Sequence, residues 1–401
     1  MPPTQPPLSA VLPPLVCGTA TFNNLYNADI NAVPTNLIVQ RALELGVSAF
    51  DTSPYYGPSE ELLGKALIQP AILSKYPRES YTLVTKCGRI ANEEFDYSPS
   101  WIKYSIKRSL QRLHTTYLDV VYCHDVEFVS AAEVLSAVKT LREIRDTEKT
   151  VKYIGISGYP VPLLCELAEL ILKETGEPLD CVMSYANFTL QNTTLKTLGL
   201  QRLKNAGVTV VPNASILGMG LMRSQGVPVG GKGDFHPAPN ELRRRCLESA
   251  QLVEKLDGER LEVVSIRWGL DSWSRDGKKV GGKGGLGVSV MGVSNIPELE
   301  ETVRVWESVL DGLSAEGLVE GRVVSEEKKG WSLERKKEVE RKAELVWNVL
   351  GEWKDFAWPS PDEGYVNIRR IMGVGIEETM ETVPISGVVE VEAAGAAAST
   401  V

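Results

Sequence analysis

Short apolar runs rich in β-branched residues recur along the first three-quarters of the chain. Most are followed by longer stretches whose apolar positions return every three or four residues. The runs LVCGTAT (15–21), VSAFDTS (47–53), YTLVTKC (81–87), LDVVYCHD (118–125), VKYIGIS (151–157), CVMSYA (181–186), VTVVPNAS (208–215) and VSVMGVS (288–294) read as strands. Helices are predicted over 35–45, 59–67, 99–113, 131–146, 162–174, 193–205, 240–256, 262–272 and 297–311. In the first helix Ile38, Ala42 and Leu45 share a face and Gly46 is the stop. Ser59 is expected to cap the second, with Glu60 and Glu61 in its first turn. Ser98 caps the third, Pro99 takes its first position, and Ile102, Ile106, Leu110 and Leu113 form its stripe.

Eight strands alternating with helices make a parallel sheet, and that number favours closure into a (β/α)8 TIM barrel over an open doubly wound sheet. The barrel is expected over 14–311, after a proline-rich segment at 1–13. Two Gly/Pro/Lys-rich stretches, 225–240 and 274–287, read as long loop insertions. A C-terminal helical extension, 312–375, is expected to pack on the barrel; its charged stretch at 326–347 reads as an exposed helix. The small, acidic tail at 376–401 reads as disordered. GKGGLG (282–287) satisfies GxGxxG, but it precedes a strand instead of following one, so the Rossmann reading fails.

Composition narrows the function. The 401 residues carry a net charge of −9, against a general nucleic-acid binder. No run reaches the ~18 apolar residues of a membrane span, and the N-terminus lacks a secretory pattern. Six scattered cysteines without CxxC spacing read as buried free thiols in a reducing, cytoplasmic setting. Three histidines without ligand spacing give no reason to expect a metal. The expected partner is a small molecule, with no nucleic acid and no membrane, and the expected state is a monomer or weak dimer.

Barrel chemistry sits at the C-terminal strand ends. There the chain places Gly18 and Thr19, then Asp51 in FDTSPYYG with Tyr55 and Tyr56 just beyond, then Lys86, His124, Ser157, Ser215 and Gly292. Singly each is weak; together a carboxylate, a phenol, an ammonium and an imidazole on three successive strands suit proton transfer at a carbonyl or alcohol. A free tyrosine titrates near ~10. An adjacent ammonium stabilises its phenolate, a carboxylate keeps that ammonium charged, and the imidazole directs the substrate oxygen. None of these groups donates hydride, so a redox step needs a cofactor.

FDTSPYYG, VTKCG, DVVYCHD, GIS, SILGMGLM and GVSNIPELEE, in this order over about 300 residues, resemble the aldo-keto reductases, (β/α)8 barrels that use nicotinamide dinucleotides. The resemblance assigns the catalytic tetrad to Asp51, Tyr56, Lys86 and His124, with tyrosine as general acid/base. It places the dinucleotide along Gly18, Thr19, Asp51, Ser157, Ser215, Leu217, Gly218, Met219, Gly292, Val293, Ser294, Glu298 and Glu301. TKCGR, CHDVEF, FHPAPNELR and WPSP resemble the branch of NAD-dependent dehydrogenases that oxidise D-arabinose or L-galactose at C1 to a lactone. His236 belongs to that pattern and is expected to shape its loop.

Three positions depart from the wider family. Gly158 follows Ser157 where an asparagine is common, Met183 or Ser184 replaces a glutamine, and Ala214 replaces a stacking aromatic. Between Val288 and Val303 there is no Lys or Arg, while Glu298, Glu300 and Glu301 are present. A 2′-phosphate would meet like charge without a partner there, so NAD is expected over NADP. The implied activity is NAD-dependent aldose oxidation, D-arabinose first and L-galactose next. Other readings are an NADPH-dependent aldehyde reductase, a nucleotide-binding regulatory barrel acting through a protein partner, and a Schiff-base aldolase on Lys86, which the neighbouring carboxylate disfavours.

Overall fold

The computed structural model describes residues 5–23, 27 and 29–369; the tail read as disordered lies outside the described residues. Eight parallel strands close into one barrel in chain order: β1 (Leu15–Gly18), β2 (Ala49–Asp51), β3 (Thr82–Cys87), β4 (Leu118–His124), β5 (Val151–Gly158), β6 (Cys181–Tyr185), β7 (Asn213–Ala214) and β8 (Ser289–Gly292). The seam pairs Gly18 with Gly292. Helices α1 (Thr35–Glu44), α2 (Ser59–Leu67), α3 (Pro70–Leu73), α4 (Pro99–Arg112), α5 (Ala131–Thr147), α6 (Val161–Thr175), α7 (Leu200–Asn205), α8 (Asn240–Asp257), α9 (Leu261–Asp276), α10 (Ile296–Ala315) and α11 (Glu326–Leu350) accompany it.

The period of two along each strand fixes the interior. Val16, Ala49, Val84, Val120, Tyr122, Tyr153, Cys181, Met183, Val288 and Val290 fill the barrel lumen. The intervening residues, such as Phe50, Leu83, Val121 and Ile154, face the helices. The next inward layer toward the C-terminal mouth therefore consists of Gly18, Asp51, Lys86, His124, Ser157, Tyr185 and Gly292. The opposite end is closed by the segment before β1. Its turn at Leu8–Ala10 inserts Leu8 and Leu12, both buried, under the lumen. Hydrogen bonds from the Lys283 N–H to the Leu12 carbonyl (2.7 Å) and from Tyr153 Oη to the Pro6 carbonyl (2.6 Å) hold it.

Four local readings change. Ser59 is the first residue of α2 and not its cap: its hydroxyl is drawn into a network with Thr19 (2.6 Å) and Thr52 (3.0 Å) at the β1 and β2 ends. The run 208–215 yields only a two-residue strand, because Pro212 has no N–H for the ladder, although Val210 still bridges to Cys181. The stretch 193–205 opens with a π-turn at Leu195–Gly199 before α7. Finally, α11 is not simply exposed. It packs on α8, α9 and α10, burying Val339, Ala343, Val346 and Leu350, and its Lys342 ammonium sits 2.5, 2.5 and 2.9 Å from Asp257, Glu259 and Glu338.

Beyond α11 the chain runs as a strap over the mouth. Gln191 donates to the carbonyls of Trp353 (2.9 Å) and Phe356 (3.0 Å), and Asp355 accepts from the Thr193 N–H (2.6 Å) and hydroxyl (2.8 Å). Asn367 brackets Phe95, donating to its carbonyl at 2.8 Å and accepting its N–H at 3.1 Å. Arg369 of the strap lies between Glu94 (2.7 Å) and Asp96 (2.9 Å).

Candidate active site

At the mouth, Lys86 is fully buried, with its Nζ 2.6 Å from Asp51 Oδ1 and 2.9 Å from the Thr52 carbonyl. The same ammonium stands 4.8 Å from the centre of the Tyr56 ring. Burial pushes the Asp51 carboxyl up by more than Lys86 pulls it down; its second oxygen is buried without a partner among the described residues. The His124 ring lies between Tyr55 (5.9 Å, 75°) and Tyr56 (5.7 Å, 88°), edge on to both. Burial pushes its pKa down to about 3, so it is neutral near pH 7. Asp51, Lys86, Tyr56 and His124 thus converge, because β2, β3 and β4 are adjacent and their side chains at this level all point inward.

The sequence reading assigns no role to four neighbours. Ser53 Oγ stands 3.1 Å from His124 Nδ1. Asp125, at φ 55° in the left-handed region that aspartate tolerates, is ion-paired to Arg89 and lies 3.5 Å from His124 Nε2. Arg89 also covers the Tyr55 ring at 3.7 Å and donates to its hydroxyl at 3.0 Å. Glu127, buried beside Asp125, accepts the Tyr159 N–H (2.9 Å) and the strap's Ser360 hydroxyl (3.1 Å); burial pushes its carboxyl up to about 8. The signal was present in CHDVEF, where two acids closely follow the imidazole.

The residues expected along a dinucleotide lie on the same rim. Gly18, Ser157 and Gly292 lie at their strand ends, and Ser215, Leu217, Gly218 and Met219 form the turn after β7, with Ser215, Gly218 and Met219 at positive φ. At Gly18 a Cβ would stand 3.1 Å from Val290, and at Gly292 3.2 Å from Thr21, so the β1–β8 edge stays free of side chains. Exposed backbone at Gly292, with the partly exposed Glu298 carboxylate at the start of α10, fits an extended ligand rich in hydroxyls, as a nicotinamide dinucleotide is. The Thr19 hydroxyl is taken up by Ser59 and the Asp51 carbonyl. Val293 is buried, its carbonyl accepting from Thr21 at 2.6 Å. Glu298 accepts the Ser294 N–H (2.8 Å), and Glu301 pairs with Arg260 (2.5 Å). One expectation needs correction here: the acids of α10 do have cations, because the fold brings Arg223 within 3.4 Å of Glu298, Arg41 within 2.8 Å of Glu300 and Arg260 within 2.5 Å of Glu301.

Of the departures, Met183 fills the lumen, while Ser184 faces outward and accepts from Asn187 at 2.9 Å. Gly158 is required by Glu127, since a Cβ there would stand 2.3 Å from its Oε2. His236 is buried, with Nδ1 accepting the Ala238 N–H (3.0 Å) and Nε2 bonded to the Gly218 carbonyl (3.0 Å); it holds its own loop against the turn after β7.

Residues 14–318 match the aldo/keto reductase family. The chain belongs to that family. It is 39% identical over 302 residues to the D-arabinose 1-dehydrogenase of Saccharomyces cerevisiae, covering 75% of this chain and 84% of the yeast protein. It is 33% identical over 303 residues to the L-galactose dehydrogenase of Arabidopsis thaliana, covering 75% and 85%. The D-threo-aldose 1-dehydrogenase of a Pseudomonas species is 26% identical over 298 residues, covering 67% and 86%. The glycerol dehydrogenase of Gluconobacter oxydans shares the fold, with a TM-score of 0.54 at 18% identity over 87% of this chain and 94% of that one. An oxidoreductase of the nicotinamide-using family, with sugar dehydrogenases among its relatives, follows.

Proposed function

We propose that the protein oxidises an aldose at C1 to its lactone with NAD, D-arabinose being favoured and L-galactose next. The observation that carries the chemistry is the buried Lys86 ammonium, fixed by Asp51 and set 4.8 Å from the Tyr56 ring. A cation at that range stabilises phenolate over phenol. The substrate class is supported by the three aldose dehydrogenases among the relatives.

The Tyr56 phenolate removes the proton of the anomeric hydroxyl as the C1–H bond surrenders its hydride and the C1–O bond becomes a carbonyl. His124, uncharged, hydrogen-bonds that oxygen and fixes which face of C1 is presented. The strap and the 225–240 loop meet, with the His236 and Trp358 rings 5.1 Å apart. A bound nicotinamide dinucleotide would supply the hydride acceptor, held along Gly18, Ser157, the turn after β7 and the start of α10.

For the nucleotide, Glu298 is suited to accept from a 2′-hydroxyl. Arg223 is already paired with it, so a 2′-phosphate would have to break that pair to gain a partner. Six buried cysteines suit a reducing, cytoplasmic setting. The test is purified protein with NAD or NADP and a panel of aldopentoses and aldohexoses, read at the NADH absorbance band. Growth with NAD and an aldose supports the proposal; reduction of simple aldehydes with NADPH alone overturns both the sugar and the cofactor.

A further inference from the structure

Catalysis by a neutral imidazole depends on which ring nitrogen carries its hydrogen. His124 has little freedom except that choice. Its ring is held edge on between Tyr55 and Tyr56, and the Tyr97 hydroxyl donates to its carbonyl at 2.6 Å. On the inner side, Nδ1 meets the hydroxyl of Ser53 at 3.1 Å. That hydroxyl accepts the Tyr55 N–H at 3.1 Å and keeps its own hydrogen, which it can give to Nδ1. On the other side, Nε2 faces a pure acceptor, Asp125 Oδ2, at 3.5 Å. The pure acceptor at Nε2 therefore decides the tautomer, and the Ser53 hydrogen completes it at Nδ1.

We propose that Ser53 is a positioning residue that locks His124 as the Nε2–H tautomer, with Arg89 neutralising Asp125 so that the ring donates to substrate without becoming an imidazolium. The inference deepens the proposed proton chemistry and rests on that reading for its catalytic consequence. The chain Tyr55 N–H to Ser53 Oγ–H to Nδ1 leaves the ring one hydrogen to give, on Nε2. The charged and titratable groups around the ring are Asp51 of β2, Lys86 of β3, Arg89 beyond it, Asp125 after β4, and the phenols of Tyr55 and Tyr56. Lys86 and Arg89 oppose ring protonation and Asp125 favours it, while burial opposes it most strongly.

The test is a long-range proton–nitrogen correlation spectrum of the full chain labelled with 15N-histidine. Only three histidines are present, and exposed His114 is assigned by His114→Asn. His124 is expected to show a protonated Nε2 and an unprotonated Nδ1, unchanged from pH 5 to 8. Ser53→Ala should populate the other tautomer and lower kcat about tenfold, the scale of one lost hydrogen bond, with the KM for NAD unchanged. Ser53→Thr, which keeps the hydroxyl, should restore the native pattern. A wild-type spectrum with the hydrogen on Nδ1 overturns the proposal even if no variant folds, and so does a Ser53→Ala spectrum identical to wild type. The spectra need no substrate, so failure of the aldose assay with an intact tautomer shift would sink the proposed function and leave the lock standing.

Discussion

The ion pair of Lys86 with Asp51 is buried on both sides, and such pairs behave asymmetrically when cut. Lys86→Met strands the Asp51 carboxylate and should cost about 3–5 kcal/mol in urea unfolding, with turnover lost. The double variant Asp51→Asn/Lys86→Met removes both charges and should regain most of that stability but no activity. If the double variant is as unstable as the single, the pair is not the source of the loss. Tyr56→Phe separates chemistry from stability: it deletes one hydroxyl from a half-buried ring at the mouth. Turnover should fall by about 10²–10⁴, the range of a lost general acid/base, while the unfolding midpoint stays close to wild type. A Tyr56→Phe enzyme with normal kcat would mean that the proton leaves by another route.

Elements show where local pattern suffices. The strand ends carrying Asp51, Lys86 and His124 were legible because a two-residue period and a β/α alternation put them on one rim. The cap of α4 was legible because Ser98 and Pro99 act within their own turn, and Ser98 accepts the Trp101 N–H. Ser59 escaped such reasoning because its partners lie 40 and 7 residues back in the chain and meet only when the barrel closes. Glu127 escaped for the same reason: its partners come from β5's end and from Ser360, 233 residues on. Burial, and the neighbouring Asp125, make this carboxyl under the strap pH-dependent. Glu127 keeps its proton in the folded state up to about 8 but loses it near 4.5 when unfolded. Between those values the unfolded chain binds fewer protons, so this group's contribution to stability is full below about 4.5 and declines up to about 8. Glu127→Gln, uncharged throughout, should flatten that decline and be more stable than wild type at pH 8. Parallel stability curves for the two proteins from pH 5 to 8 would refute the assignment.

At the scale of the molecule, the barrel depends on additions at both ends of the chain: Leu8 and Leu12 plug one end, and α11 with its strap braces the other. The brace turns on Lys342, whose ammonium fills the space among Asp257, Glu259 and Glu338. Those three carboxylates converge within 4.8 Å, close enough to hold a divalent cation, but in the native chain the lysine occupies that position. Native thermal stability should therefore be indifferent to millimolar calcium. Lys342→Ala leaves Arg335, which pairs with Glu259 and Glu338, as a remaining cation beside the three acids, and should lower the unfolding midpoint by a few degrees because Asp257 loses its partner and the buried lysine stem its packing. Calcium should then recover much of the loss, because hard oxygen ligands prefer it. The neutralised companion Glu259→Gln/Lys342→Ala should be less destabilised than the single variant and less responsive to calcium. Loss of stability without recovery by calcium, together with equal behaviour of single and double variants, would show that Lys342 braces α11 through the packing of its carbon stem and not through its charge.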